Sequence, residues 1–185
     1  NIVVTGISSS FVIMAQTMEP DNFKKIILVN PSDINIIKEM PTKETKAAKT
    51  ILEIPILGTF IFNLIMHHKR IRNYIESKYF FKKTFLSSKL EDTYFESAHK
   101  GNSAGKYLLA STKGNYVNID ITNAVKKADN LYIISSRERN NAVAITEKYL
   151  HLNKNIEATY ISNSRYLPQL ETPDKFKDIV LMFLQ

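Results

Sequence analysis

The chain has 185 residues, with 25 Lys+Arg against 18 Asp+Glu, a formal net charge of +7, no Cys and no Trp. That length suits one domain with a sizeable core, and an apolar share of 44% with 10% aromatics excludes a disordered chain. The lack of Cys excludes a disulfide scaffold, a thiolate zinc site and a Cys nucleophile. The basic balance comes without a dense Lys/Arg run interleaved with aromatics, so no nucleic-acid partner is expected.

The chain opens at Asn1, inside what reads as a buried strand over Ile2–Thr5. A strand without lead-in predicts the C-terminal part of a longer protein. A tight turn and an apolar helix over about 9–18 follow. Pro20 and its polar neighbours end that helix, and Ile26-Ile27-Leu28-Val29 gives a second strand. Short continuous apolar runs of this kind mark strands buried on both faces, and strand–helix–strand predicts a right-handed parallel crossover.

Residues 35–125 change character, being helical in spacing and rich in Lys, Tyr and Phe. Nearly all of the excess positive charge lies here. The stretch Ile51–Met66 holds an apolar run of about 13 residues, short of the ~20 that a spanning helix needs, and Pro55 and Gly58 interrupt it. It is expected as an apolar lid helix, or as a helix lying in a membrane interface with His67-His68-Lys69-Arg70 at its end. From 126 to 185 the α/β pattern returns. Strands are predicted at Leu131–Ser135 and Ile156–Ile161, with helices at Asn141–Leu150 and, with Pro at its first turn, at Pro173–Leu184.

The segment Val4-Thr5-Gly6-Ile7-Ser8-Ser9-Ser10-Phe11 joins the first strand to the first helix. Gly-x-Ser-x-Gly in that setting is a nucleophile elbow, a turn sharp enough to lift a Ser hydroxyl above the sheet. Here Ser10 stands where the last Gly would be, which makes Ser8 the candidate nucleophile. The Ser9 amide is then the candidate oxyanion donor, helped by the positive end of the helix.

On these residues the chain resembles the α/β-hydrolase superfamily, from the nucleophile strand to the C-terminus. "VTGISSSFVIMAQTMEPDNFKKIILVNPS" is similar to the elbow, its helix and the next strand; the helical middle resembles an inserted cap. "NLYIISSRERN" resembles the strand whose loop supplies the acid. "ATYISNSRYLPQLETPDKF" resembles the loop that carries the catalytic His and leads into the last helix. The resemblance implies an α/β-hydrolase fold with a mostly parallel sheet, its N-terminal strands missing. Core segments at 1–34 and 126–185 would flank a cap at 35–125.

It also places Tyr166 where the family has its His, and Arg139 where it has its Asp. Asp33, soon after the second strand, is an alternative acid position. A Ser hydroxyl needs a nearby base, and a neutral Tyr with a pKa of about 10 serves poorly. His67, His68, His99 and His151 are each expected in structural roles, with His67 or His68 folding over the pocket the one alternative base; no His/Asp/Glu set has metal-ligand spacing, so neither metal nor cofactor is expected. Two functional readings stay open. One is a serine esterase-like hydrolase using Ser8 with an unusual base, its cap residues Ile54, Ile56, Leu57, Phe60, Ile61 and Leu64 accepting an apolar acyl chain. The other is a hydrolase-fold protein that has lost the triad and binds a small apolar ester or acyl ligand, or meets a membrane surface through its basic cap.

Overall fold

The computed structural model describes residues 1–185. Four parallel strands, β1 (Ile2–Thr5), β2 (Ile26–Val29), β3 (Leu131–Ser136) and β4 (Glu157–Ile161), lie side by side in chain order. Such order follows from crossovers of one hand, each strand feeding a connection that returns to the next position in the sheet. Alternate residues of a strand face opposite sides, so β2 divides its four buried side chains between two clusters. Ile26 and Leu28 pack with Val4, Ile13, Ile133 and Tyr149, whereas Ile27 and Val29 pack with Ile134, Ile161 and Phe183. Helices α1 (Ser8–Met18), α8 (Thr122–Lys127) and α9 (Ala142–Leu152) supply the first side; α11 (Pro173–Leu184) covers the second through Phe176, Ile179, Val180 and Phe183.

The sheet and its helices form one compact unit, residues 1–38 with 119–185, and residues 39–118 form a second. The second unit lies within the 35–125 span expected for the cap. The short α2 (Ile34–Ile37) buries Ile34 and Ile37 in the sheet's core, and α8 buries Ala124 and Val125 there. Apolar burial, rather than the loss of strand pattern, sets the boundary.

In the helical unit, α3 (Lys43–Glu53) starts from a reciprocal Thr42–Thr45 capping box. Pro55 then opens α4 (Pro55–Ile65), which leaves α3 at a bend of 98°. Gly58 allows that packing, since a Cβ there would lie 1.9 Å from the Leu52 carbonyl oxygen. The unit is completed by α5 (His68–Lys78), α6 (Ser88–Ser103) and α7 (Gly105–Lys113). Only Gly58 and Phe62 of α4 are buried, and Ile56, Leu57, Phe60 and Leu64 are exposed. No single helix is long and apolar enough to cross a membrane.

Burial predicts a sharp contrast between two isoleucines. Ile133 is fully buried, so Ile133→Ala should cost about 3 kcal/mol through lost transfer energy and a residual cavity. Ile56 is 86% exposed, so Ile56→Ala should stay within about 0.5 kcal/mol. Urea denaturation midpoints measure both, and similar losses would contradict this account of the core.

Candidate functional site

Parallel α/β sheets place ligands at the carboxyl ends of their strands, where the loops converge. At the end of β1 the ladder runs on for one bond, Gly6 N–H donating to the Val29 carbonyl at 3.0 Å. The chain then turns at once. Gly6 has φ +58°, a left-handed conformation that costs an L-residue about 1–2 kcal/mol, while Ile7 is already helical at φ −65° and ψ −28°. Helix α1 begins at Ser8, which is exposed and has no left-handed backbone. The strained corner expected at Ser8 therefore falls two residues earlier. The cause is where pairing with β2 ends: Thr5 is the last β1 residue in register, opposite Val29.

Ser9 does not have the free amide expected of it. Its N–H donates to the Gly6 carbonyl at 3.2 Å, and its buried hydroxyl has no hydrogen-bond partner. Ser10, also buried, turns its hydroxyl back onto the Ile7 carbonyl at 2.6 Å. Two consecutive small side chains bury the first turn of α1.

Beyond β3 and β4 the structure brings Arg139 and Tyr166 together. The Arg139 Cζ lies 4.9 Å from the centre of the Tyr166 ring, within cation–π range. Arg139 is only 7% exposed. Its Nη1 donates to the Pro31 carbonyl at 2.8 Å, and its buried Nε has no hydrogen-bond partner. No carboxylate forms a salt bridge with it, so the aromatic face and one carbonyl are its closest compensation.

A polar network fixes the loops that carry this pair. Asn30, buried at the end of β2 with φ +48°, accepts the Ser136 amide through Oδ1 at 2.8 Å. Its Nδ2 donates to the Ser136 hydroxyl at 2.9 Å and to the Tyr166 carbonyl at 3.0 Å. Ser136 and Ser164 join their hydroxyls at 3.0 Å. The short helix α10 (Pro168–Glu171) ends on Glu171, whose buried carboxylate accepts the Ser164 hydroxyl at 3.0 Å and the Arg165 amide at 2.8 Å. From the other side Glu138 accepts the amides of Asn163 and Ser164. Of these supporting polar residues the sequence marks two: Glu171, in the Leu-Glu-x-Pro run, and Glu138, one position before the acid place expected at Arg139.

Asp33 is committed elsewhere. It caps α2 by accepting the Asn35 amide and forms an ion pair with Lys148 at 2.7 and 2.9 Å. Burial alone would raise its pKa, but the Lys148 and Asn35 hydrogen bonds and the charges of Lys148 and Arg139 outweigh that and hold it below the usual value. Tyr149 donates its hydroxyl to the Ser32 carbonyl at 2.8 Å, and burial, the main cause, pushes its pKa well above the ordinary tyrosine value.

No histidine joins Arg139 and Tyr166. His151 is exposed in the last turn of α9. Within the helical unit, His67 caps α5, and His68 lies 3.0 Å from Glu91 and stacks on Phe95. His99 Nδ1 is 2.9 Å from the Phe95 carbonyl oxygen. No group of three or more His, Asp and Glu side chains could hold a metal ion.

The sequence matches no protein-family model and no curated protein. Its structure is similar to a serine hydrolase from the polyaromatic hydrocarbon-degrading bacterium Cycloclasticus zankles, at 13% identity and a TM-score of 0.69. It is similar also to a 2-hydroxy-6-oxo-6-phenylhexa-2,4-dienoate hydrolase from a Rhodococcus species, at 13% identity and a TM-score of 0.71. Each comparison covers 100% of this chain but 63% of the other. An α/β-hydrolase from a deep-sea metagenome library gives 16% identity, a TM-score of 0.64 and coverage of 100% and 64%. The chain thus has the α/β-hydrolase fold and spans a little under two thirds of the length of these proteins.

The Asp33–Lys148 pair makes a pH-dependent prediction. A carboxylate with a lowered folded pKa adds stability above its unfolded pKa of about 3.9 and loses it as the pH falls through the folded value. Asp33→Asn keeps a helix cap of similar quality but removes the charge. The wild type should be more stable than Asp33→Asn by about 1 kcal/mol from pH 7 to about pH 5, and the gap should close below about pH 4. Thermal unfolding across that range checks it; a gap unchanged at pH 2 would rule out the ion pair as its source.

Proposed function

We propose that this chain, an α/β-hydrolase fold with Arg139 and Tyr166 at the acid and base positions, binds a small apolar ester or acyl ligand without turning it over by serine-hydrolase chemistry. The observation that carries this reading is the contact between those two side chains. A catalytic imidazole needs a carboxylate to fix its tautomer and stabilise its charged form. A guanidinium beside a phenol does the reverse. It adds a positive charge where one would have to develop, and neither group readily accepts a proton from a hydroxyl at neutral pH. What this scaffold retains is suited to binding: a tight strand-to-helix turn, and a helix whose N-terminal end carries partial positive charge beside which a carbonyl oxygen is stabilised.

An oxyanion hole and binding alone retain about 10³–10⁴-fold over water, far below an intact triad. With p-nitrophenyl butyrate, the wild type should give turnover no faster than that residue of catalysis. Ser8→Ala should change it by less than about twofold, because Ser8 has no base to activate it. The same ester should raise the melting temperature of the wild type in a concentration-dependent way. Turnover of about 10 per second that vanishes in Ser8→Ala would overturn the reading, since that is the range of working enzymes.

A further inference from the structure

We infer that Gly6, and not Ser8, stands in the nucleophile's place, so that all three positions of the triad are replaced in this chain. The inference rests on the reading that Arg139 and Tyr166 occupy the acid and base places, and it adds the third position.

An elbow is defined by its backbone: a single residue of strained conformation between a strand and a helix, whose Cβ projects above the sheet. In the β1–α1 corner only Gly6 has positive φ, and it follows β1 directly. A Cβ built on Gly6 would meet nothing within 4 Å, so the position from which a nucleophile would project is open. Ser8 fits another part of the same motif. With Gly6 at the centre, Val4-Thr5-Gly6-Ile7-Ser8 puts Ser8 where the motif requires a small residue, and the buried Ser9 and Ser10 follow it in the first turn. The residue after the nucleophile, whose amide donates to the oxyanion, becomes Ile7 in place of Ser9. A glycine can hold this turn with no strain, which fits a corner that no longer carries a side chain.

Labelling with a fluorophosphonate decides the matter. In the labelling step the Oγ–P bond forms, fluoride leaves, and the hydroxyl proton passes to an imidazole. Three proteins are compared: the wild type, the double variant Tyr166→His with Arg139→Asp, and the triple variant that adds Gly6→Ser. The triple variant should be labelled at position 6, at least about a hundredfold faster than the double variant, the scale of one general base acting on a placed hydroxyl. Adduct mapping by mass spectrometry identifies the residue. Labelling at Ser8 in either variant, or a folded triple variant without adduct at position 6, would overturn the inference and leave the functional reading intact. Labelling of the wild type would overturn the functional reading instead. Should the triple variant fail to fold, backbone dihedrals of the wild type from solution NMR decide: positive φ at Gly6 with helical φ at Ser8 supports the inference, and positive φ at Ser8 overturns it.

Discussion

The side chain of Asn30 is the constraint on which the site depends. It stands at the end of β2, between β1, which leads into Gly6, and β3, which leads to Arg139. Its amide group spends both polar atoms on neighbours, holding the Ser136 amide and hydroxyl and the carbonyl of Tyr166. Asn30 has a left-handed backbone, a conformation that Asn tolerates better than most residues. Three hydrogen bonds in a buried setting carry a large penalty if one partner is lost. The loops after β3 and β4 are therefore held at fixed separation, and Arg139 and Tyr166 meet as a consequence.

On the proposed reading, that meeting inverts the electrostatics of a catalytic pair. A carboxylate beside an imidazole stabilises a developing positive charge, whereas Arg139 brings a permanent one. A buried guanidinium is costly unless hydrogen-bonded and paired. Here the Pro31 carbonyl, the ring of Tyr166 and the nearby charge of Asp33 share the compensation. Asp33 is in turn held ionised by Lys148. The loops around Arg139 and Tyr166 are thus held by hydrogen bonds among polar groups and by fixed charges.

Much of this was legible in the sequence, for mechanical reasons. The β2 run Ile26-Ile27-Leu28-Val29 announces a strand buried on both faces, and the sheet's two clusters divide it accordingly. The run Leu167-Pro168-Gln169-Leu170-Glu171 is recognisable because its parts have distinct structural roles. Pro168 starts a helix, and Glu171 turns its carboxylate back onto the loop that carries Tyr166. The corner after β1 was harder to read. One glycine and three serines permit two registers of one motif, and only the end of strand pairing, at Thr5 and Gly6, distinguishes them. At the edges of the helical insertion, Ile34, Ile37, Ala124 and Val125 join the core by burial, which helical spacing does not reveal. In the network around Asn30, Asn30, Ser136 and Ser164 had no sequence signal, since they are distant in the chain and common in loops.

The central claim is that Arg139 and Tyr166 interact directly, the contact from which the proposed function is argued. A double-mutant cycle on stability tests it most directly, using Arg139→Met, Tyr166→Leu and the pair together. A cation–π contact removed from water should give a coupling of about 1–2 kcal/mol in favour of the native pair. Coupling within about 0.3 kcal/mol of zero would mean that the two side chains act independently, and would contradict the account.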